Sequence, residues 1–177
     1  AILKRKEKSG AMPAALSHPI IRTHLDATTA DNVLFIVVAT PVEEVGRDHD
    51  FDWAVVEPSS YRSIIQLAGR VRRHRQTWVD VPNIAVMQYN LKALRKNGQA
   101  AYCRPGYENF KSLKLDTHDL CHLVDEKLLN HAVNAIPRIV QPDVLQPRLR
   151  LADLEHQAIG SYLAAYQGKG AGCLQAW

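Results

Sequence analysis

The sequence predicts an α/β fold, because apolar runs of strand type alternate with a helical segment. Residues 33–39 are continuously apolar and rich in β-branched side chains, which is typical of a strand buried on both faces of a parallel sheet. Shorter apolar runs at 53–57 and 83–89 predict two further strands. We therefore expect one mainly parallel sheet, with a helix over residues 60–74 packed on it and a mainly helical segment after it.

The composition is that of an ordinary globular protein, with 46% hydrophobic and 23% charged residues in a chain of 177. The net charge of +4 allows a polyanionic partner without requiring one. No apolar run reaches the roughly 20 residues of a membrane helix, and no signal peptide is visible. The cysteines Cys103, Cys121 and Cys173 are widely spaced and form no paired framework. We therefore expect a soluble, cytoplasmic protein.

The helix expected over residues 60–74 can begin at Ser59 or Ser60, because either residue can cap a helix directly after Pro58. At 3.6 residues per turn, one face of this helix is polar and the other is apolar. The polar face comprises Arg62, Gln66, Arg70 and Arg73, and the apolar face comprises Ile64, Leu67, Ala68 and Val71. Taken alone, this pattern fits a solvated basic surface as well as it fits a binding site.

Other helices are predicted from caps and apolar spacing. Three prolines between residues 136 and 148 favour an extended segment there. The predicted helices are a short one around Ile20 and Leu25, one over 91–95, one capped by Thr117 or Asp119 and reaching His131, and one from about Leu151 to Tyr166.

Two clusters contain residue types that bind metals, but a structural role explains each of them better. Asp48, Asp50 and Asp52 alternate along the chain and could bind a divalent cation, although capping of turns is favoured. A second cluster lies at helical spacing, and only two or three of its members would share a face. Its residues are His118, Cys121, His122 and Asp125. We therefore assign no metal site.

A resemblance to a known family rests on two stretches. Thr40 to Asp48 reads Thr-x-x-x-Glu-x-Gly-x-Asp, and Gln66 to Arg73 reads Gln-x-x-Gly-Arg-x-x-Arg. These patterns resemble motifs V and VI of superfamily 2 helicases. The longer stretches ATPVEEVGRDHDFD and EPSSYRSIIQLAGRVRRHR resemble the CRISPR-associated helicase–nuclease of type I systems, subtype I-F. The resemblance is close over residues 33–76 and weaker over 77–166.

The resemblance implies a parent protein that is an ATP-dependent DNA helicase, coupled to a nuclease that degrades target DNA in CRISPR interference. Residues 1–97 would be the rear part of a second RecA-like domain, and residues 98–177 a linker and the start of a C-terminal domain. ATP and Mg²⁺ would be bound mainly by the first RecA-like domain, and the nuclease would bring its own divalent metal. The phosphate-loop pattern G-x-x-x-x-G-K-[ST] does not occur in this sequence, so we expect the chain alone to be inactive.

The resemblance also implies roles for individual residues and partners. Its catalytic residues would be Arg70 and Arg73, its nucleotide-binding residues Gly46, Asp48 and Gln66, and its nucleic-acid-binding residues Thr40, Pro41 and Arg72. The implied partners are single-stranded DNA, the rest of the helicase–nuclease, an RNA-guided surveillance complex and the spacer-integration machinery. The alternative is a non-catalytic, helicase-like remnant that acts as a protein- or DNA-binding module.

Overall fold

The computed structural model describes residues 16–45, 49–75, 79–95, 98–109, 111–130 and 132–165. Six α-helices and two β-strands lie in these ranges, together with two short 3₁₀ helices. The α-helices are α1 (Pro19–Ala27), α2 (Tyr61–Ala68), α3 (Leu91–Arg95), α4 (Leu120–Leu123), α5 (Ile136–Ile139) and α6 (Leu151–Ala165), the strands are β1 (Ala54–Val56) and β2 (Ile84–Val86), and the 3₁₀ helices are Pro41–Glu44 and Glu126–Leu128. No helix within the described ranges has the length and apolar character needed to cross a membrane.

The sheet of the described residues consists of β1 and β2. The amide of Ala54 donates to the carbonyl of Asn83 at 3.0 Å, and the amide of Met87 donates to the carbonyl of Val56 at 2.9 Å. This pattern is that of a parallel pair, so the predicted α/β class and the strands at 53–57 and 83–89 are confirmed, although both strands are shorter than expected.

The strand predicted at residues 33–39 is wrong for this structure. These residues form no strand, and their side chains are exposed, with Val38 at 95%. A strand exists only when its backbone pairs with a neighbour, and in the described part of the chain β1 and β2 pair with each other and not with this segment. The apolar composition was therefore an incorrect sign of a buried strand.

Helix α2 is also shorter than predicted, because it ends at Ala68 and not near residue 74. Its start agrees with the prediction, since the Ser60 hydroxyl accepts from the amide of Ser63 at 2.9 Å. Beyond Gly69 the backbone leaves the helix: the amide of Phe51 donates to the carbonyl of Arg70 at 2.9 Å, and the amide of Arg72 donates to the carbonyl of Phe51 at 2.8 Å. These bonds replace those of another helical turn.

The chain divides into two compact units that alternate along the sequence. Unit one comprises Ala1–Ala54 and Gln66–Ile84, and unit two comprises Val55–Ile65 and Ala85–Trp177. Unit two contains all of the buried hydrophobic residues of the described ranges. They are Val56, Tyr61, Ile64, Ala100, Ala101, Tyr102, Leu115, Leu120, Leu123, Val124, Leu151, Ala152, Leu154 and Ala158.

Within unit two, Glu155 of α6 caps the beginning of α2. Its Oε1 accepts from the amides of Tyr61 at 2.5 Å and Arg62 at 3.3 Å, and its Oε2 lies 2.7 Å from Nε of Arg138. The side chain of Glu155 is 1% exposed, and this burial raises the pKa of its carboxyl group despite the neighbouring donors. The long helix α6, predicted to begin at Leu151, therefore stabilises α2 through a contact far apart in sequence.

The loop between α3 and α4 is organised around the buried carboxylate of Glu108. Its Oε2 accepts from the amides of Ala101 at 2.7 Å and Tyr102 at 2.9 Å. Its Oε1 accepts from the amide of Leu115 at 3.2 Å and lies 2.9 Å from Nε2 of His118. One acidic side chain thus joins two parts of a segment whose described residues form no helix or strand.

The C-terminal half corrects two further predictions. Asp119 does cap a helix, but α4 ends at Leu123, and a separate 3₁₀ turn begins after Asp125, whose side chain accepts from the amide of Lys127. The helix expected to reach His131 is therefore broken into two capped turns. The segment with three prolines is not extended throughout, since Ile136–Ile139 is helical, with a proline in its first turn where no amide donor is needed.

Candidate functional site

The candidate site lies in unit one and begins with the 3₁₀ turn Pro41–Glu44. Proline supplies the first position of this turn, and the amide of Glu43 donates to the carbonyl of Thr40 at 3.1 Å. Thr40 and Pro41 are exposed, whereas Glu44 is 8% exposed. Thr40 and Pro41 therefore face solvent at the start of the turn, and Glu44 is buried at its end.

Arg70 joins this turn to the segment after α2. Its Nη2 donates to the carbonyl oxygen of Glu44 at 2.7 Å, and its side chain is half-buried. Its Nε is buried and has no hydrogen-bond acceptor among the described residues. The two stretches that carried the family resemblance are thus in direct contact within unit one.

The other residues of the predicted nucleotide site differ in their placement. Gln66 is exposed near the end of α2, and Arg73 is exposed in the turn after it. Arg73 makes no hydrogen bond or ion pair with the described part of the chain. Gly46 and Asp48 lie outside the described residues. Because α2 ends at Ala68, the prediction that Arg70 and Arg73 share a helical face with Gln66 is wrong.

Arg72 lies in the backbone bridge to Phe51 and not on a helix. Its φ angle of +51° is in the left-handed region, which residues other than glycine seldom adopt. The bridge between Phe51 and Val71 and the hydrogen bond from Arg72 to Phe51 hold the backbone in this conformation. Its side chain is half-buried.

Arg75 was not assigned a role from the sequence, yet it binds two of the three alternating aspartates. Its Nε lies 3.2 Å from Oδ2 of Asp50, and its Nη1 lies 2.5 Å from Oδ1 of Asp52. Partial burial opposes the charge of Arg75, but its hydrogen bonds to Asp50 and Asp52 raise the pKa of the guanidinium. The signal was present, since side chains two residues apart in an extended chain point to the same side and can share one guanidinium.

His49 contacts the 3₁₀ turn Pro41–Glu44 through Glu43. Its Nδ1 contacts Oε2 of Glu43, and its ring lies edge-on to Phe51 with centroids 5.9 Å apart. Together with the Arg70 contact, this pair fixes the turn at two points. Polar contacts from Arg70 and His49 therefore hold the turn Pro41–Glu44.

The residues weighed as metal ligands are used in other ways. Asp50 and Asp52 bind Arg75, and His118 binds Glu108. A search of the described ranges finds no group of three or more His, Cys, Asp or Glu side chains that could hold a metal ion. The role favoured for the aspartates was turn capping, whereas Asp50 and Asp52 form ion pairs with Arg75, and Asp48 lies outside the described residues.

Both stretches lie within a match to a known protein family. Residues 3–76 match the family model described as CRISPR-associated nuclease/helicase Cas3, C-terminal. The CRISPR-associated nuclease/helicase Cas3 subtype I-F/YPEST of Pseudomonas aeruginosa is 46% identical over 164 residues, which is 93% of this chain. The protein of the same description from Pectobacterium atrosepticum is 47% identical over 152 residues, which is 84% of this chain.

The similarity extends well past the two motifs, because it includes the buried residues of unit two. The chain corresponds to 15% of the length of the Pseudomonas relative and 14% of the length of the Pectobacterium relative. The extent and level of identity make the assignment specific to one subtype. The sequence therefore belongs to the subtype I-F branch of the Cas3 family.

Proposed function

We propose that this chain forms part of an ATP-dependent DNA helicase coupled to a nuclease that degrades target DNA in CRISPR interference. In this proposal, residues 1–97 belong to a second RecA-like domain and residues 98–177 to a linker and the start of a C-terminal domain. The chain would contribute motif V and the arginines of motif VI. The observation that carries the proposal is the hydrogen bond of 2.7 Å from Arg70 to the carbonyl of Glu44.

The two arginines would have different tasks in ATP hydrolysis. ATP and Mg²⁺ would be held mainly by another RecA-like domain, and the metal would neutralise charge on the phosphates. Arg73 is exposed and unpaired within the described residues, so it suits the position of an arginine finger at the terminal phosphate. Arg70 is already bound to the motif V backbone, so it would keep that turn in register while contacting nucleotide. Gln66, Gly46 and Asp48 would complete the nucleotide contacts.

The DNA contacts would come from the outer surface of the same turn. Thr40 and Pro41 are exposed at its start, where a nucleic-acid backbone could approach. Arg72, next to the backbone bridge between Phe51 and Val71, would bind a DNA phosphate. The partners in this proposal are single-stranded DNA, the rest of the helicase–nuclease, an RNA-guided surveillance complex and the spacer-integration machinery.

The test uses a chimera, in which this sequence replaces the aligned segment of the Pseudomonas relative. We expect Arg73→Lys in the chimera to lower DNA-stimulated ATP turnover by about 10³-fold, because a single ammonium cannot reproduce the planar fork that grips two phosphate oxygens. ATP binding, measured by a nucleotide titration, should change little, because the arginine acts on charge that develops in the transition state.

The matched control is Arg22→Lys in α1, an exposed arginine of the same unit that pairs with Asp26. Its turnover should equal that of the unsubstituted chimera. Near-normal turnover of the Arg73→Lys chimera would contradict the assignment of motif VI. It would favour the alternative in which this sequence is a non-catalytic, helicase-like binding module.

A further inference from the structure

A surplus of positive charge lies in a segment that the helicase motifs do not include. Residues 90–115 contain six basic residues and one acidic residue, whereas the rest of the chain contains 16 basic and 17 acidic residues. Residues 58–79, which include the second motif, contain five basic residues and no acidic residue, so the segment 90–115 in unit two is a second basic stretch with the same surplus of five. Its basic residues are Lys92, Arg95, Lys96, Arg104, Lys111 and Lys114.

The one acidic residue of the segment does not neutralise this charge at the surface. Glu108 is 3% exposed, and its carboxylate is surrounded by internal donors from Ala101, Tyr102, Leu115 and His118. The five basic residues that the structure describes are all exposed. Within the described ranges, none of these five forms an ion pair with a carboxylate.

Several contacts bring four of these basic residues, Lys92, Arg95, Arg104 and Lys114, towards one region of unit two. Lys92 and Arg95 are three positions apart on α3, so they lie on the same side of that helix. Nζ of Lys92 lies 3.3 Å from Sγ of Cys103, which places it beside Arg104. The Glu108 carboxylate accepts from the amides of Tyr102 and Leu115. The backbone segments next to Arg104 and Lys114 therefore lie close together.

We propose that the exposed basic residues of this segment, Lys92, Arg95, Arg104, Lys111 and Lys114, form a second binding surface for the phosphates of single-stranded nucleic acid. Lysine is depleted at protein–protein interfaces, whereas interfaces with nucleic acid are strongly positive, and three of the five residues are lysines. The surface is separate in sequence from Thr40, Pro41 and Arg72. It extends the proposed function, and its test reads binding without reference to ATP hydrolysis.

The experiment measures binding of the full 177-residue chain to a fluorescein-labelled 20-nucleotide oligo(dT) by anisotropy, between about 50 and 200 mM salt. The surface variant combines Lys92→Gln, Arg95→Gln, Arg104→Gln and Lys114→Gln. Each phosphate contact on a single strand contributes about 0.7 to the slope of log K against log salt, so four lost contacts should lower the slope by about 2.8. Affinity at 100 mM salt should fall by about tenfold or more.

The control variant combines Arg22→Gln, Lys127→Gln, Arg148→Gln and Arg150→Gln, which changes the net charge equally at exposed sites elsewhere. It should retain affinity within about threefold and lose less than about 1 in slope. Circular dichroism and urea midpoints check that both variants fold. If the fourfold surface variant unfolds, the pair Lys92→Gln and Arg104→Gln should still lower the slope by about 1.4.

Equal losses in the surface and control variants would overturn the proposal, because they would show a general effect of net charge. Unchanged binding by the surface variant would overturn it as well. Stronger competition by poly-glutamate than by unlabelled oligo(dT), or tighter binding of a duplex of the same length, would also contradict it in favour of another partner. Normal turnover of the Arg73→Lys chimera would remove the motor assignment and leave this result unaffected.

Discussion

The two units of this chain are ordered by different kinds of contact. In unit two, the described residues include 14 buried hydrophobic side chains, among them Ile64 and Leu154. In unit one, the buried residues of the described ranges are Glu44 and Asp50, both acidic. The apolar run at 33–38 belongs to unit one, and each of its side chains is at least 42% exposed.

This difference predicts that substitutions in the two units affect different properties. The two stretches that resemble helicase motifs lie in unit one, where Arg70 donates to the carbonyl of Glu44 and Arg75 pairs with Asp50 and Asp52. Apolar burial contributes about 25 cal/mol per Å², so substitutions in unit two should change the free energy of unfolding most. Substitutions of exposed residues in unit one should change activity or binding and leave that free energy almost unaltered.

The largest difference is expected between Ile64→Ala in unit two and Val38→Ala in unit one. Ile64 is 0% exposed, so its truncation leaves a cavity and should lower the free energy of unfolding by about 3 kcal/mol. Val38 is 95% exposed, so its truncation should change the same quantity by less than about 0.5 kcal/mol. Urea unfolding followed by circular dichroism measures both values.

Ile64→Val provides the graded control, with an expected cost of about 1 kcal/mol. A cost of Val38→Ala that approaches that of Ile64→Ala would show that residues 33–38 are covered in solution, and it would remove the contrast between the two units.

Alanine substitutions at two glycines test how closely the backbone of unit two is packed. We expect them to change the free energy of unfolding by smaller amounts and in opposite directions. A Cβ on Gly106 would lie 2.1 Å from the carbonyl oxygen of Ser59 and 2.2 Å from that of Tyr102. Backbone atoms cannot move aside as a flexible side chain can, so Gly106→Ala should cost about 2 kcal/mol in unfolding free energy. A Cβ on Gly160 of α6 would meet nothing within 4 Å, so Gly160→Ala should add up to about 1 kcal/mol.

Both values come from the same urea experiment, and each variant is the other's control for the change from glycine to alanine. A neutral Gly106→Ala would mean that the backbone of Gly106 packs less closely on Ser59 and Tyr102 than the distances indicate. A destabilising Gly160→Ala would show that α6 has a neighbour at that position.

Local signals in the sequence predicted several elements correctly. The helix at 91–95, the helix beginning at Leu151 and the capping roles of Ser60 and Asp119 all follow from residues within one turn of each helix end. The strand at 53–57 follows from a short apolar run. These features depend on neighbours in sequence, so composition and spacing were sufficient for them.

The features that the sequence did not predict depend on partners far along the chain. Helix α2 ends at Ala68 because Phe51 takes the backbone groups that a further turn would use. Its start is capped by Glu155, which is 94 residues from Tyr61. In the candidate site, the proximity of the two motifs was implied by the family resemblance, whereas the binding of two aspartates by Arg75 was visible only in three dimensions.

The smallest predicted effect is a change with pH in the free energy of unfolding, caused by Tyr102. It concerns unit two, to which all six tyrosines belong. Burial, reinforced by the negative charges of Glu108 and Asp119, raises the pKa of Tyr102 well above its ordinary value. The unfolded chain loses this proton near pH 10 while the folded chain keeps it, so the contribution of Tyr102 to stability is complete below pH 10 and decreases above it.

At pH 7, Tyr102→Phe should cost about 1 kcal/mol, because it removes the hydrogen bond of 3.2 Å from the phenol to the carbonyl of His118. At pH 10.5, ionisation in the unfolded state should cost the unsubstituted chain about 0.8 kcal/mol that the phenylalanine variant does not lose, so the two stabilities should nearly coincide. The other tyrosines are present in both proteins and cancel from the difference. Urea midpoints at the two pH values measure the effect, and a gap that stays constant from pH 7 to 10.5 would show that the phenol of Tyr102 titrates normally in the folded protein.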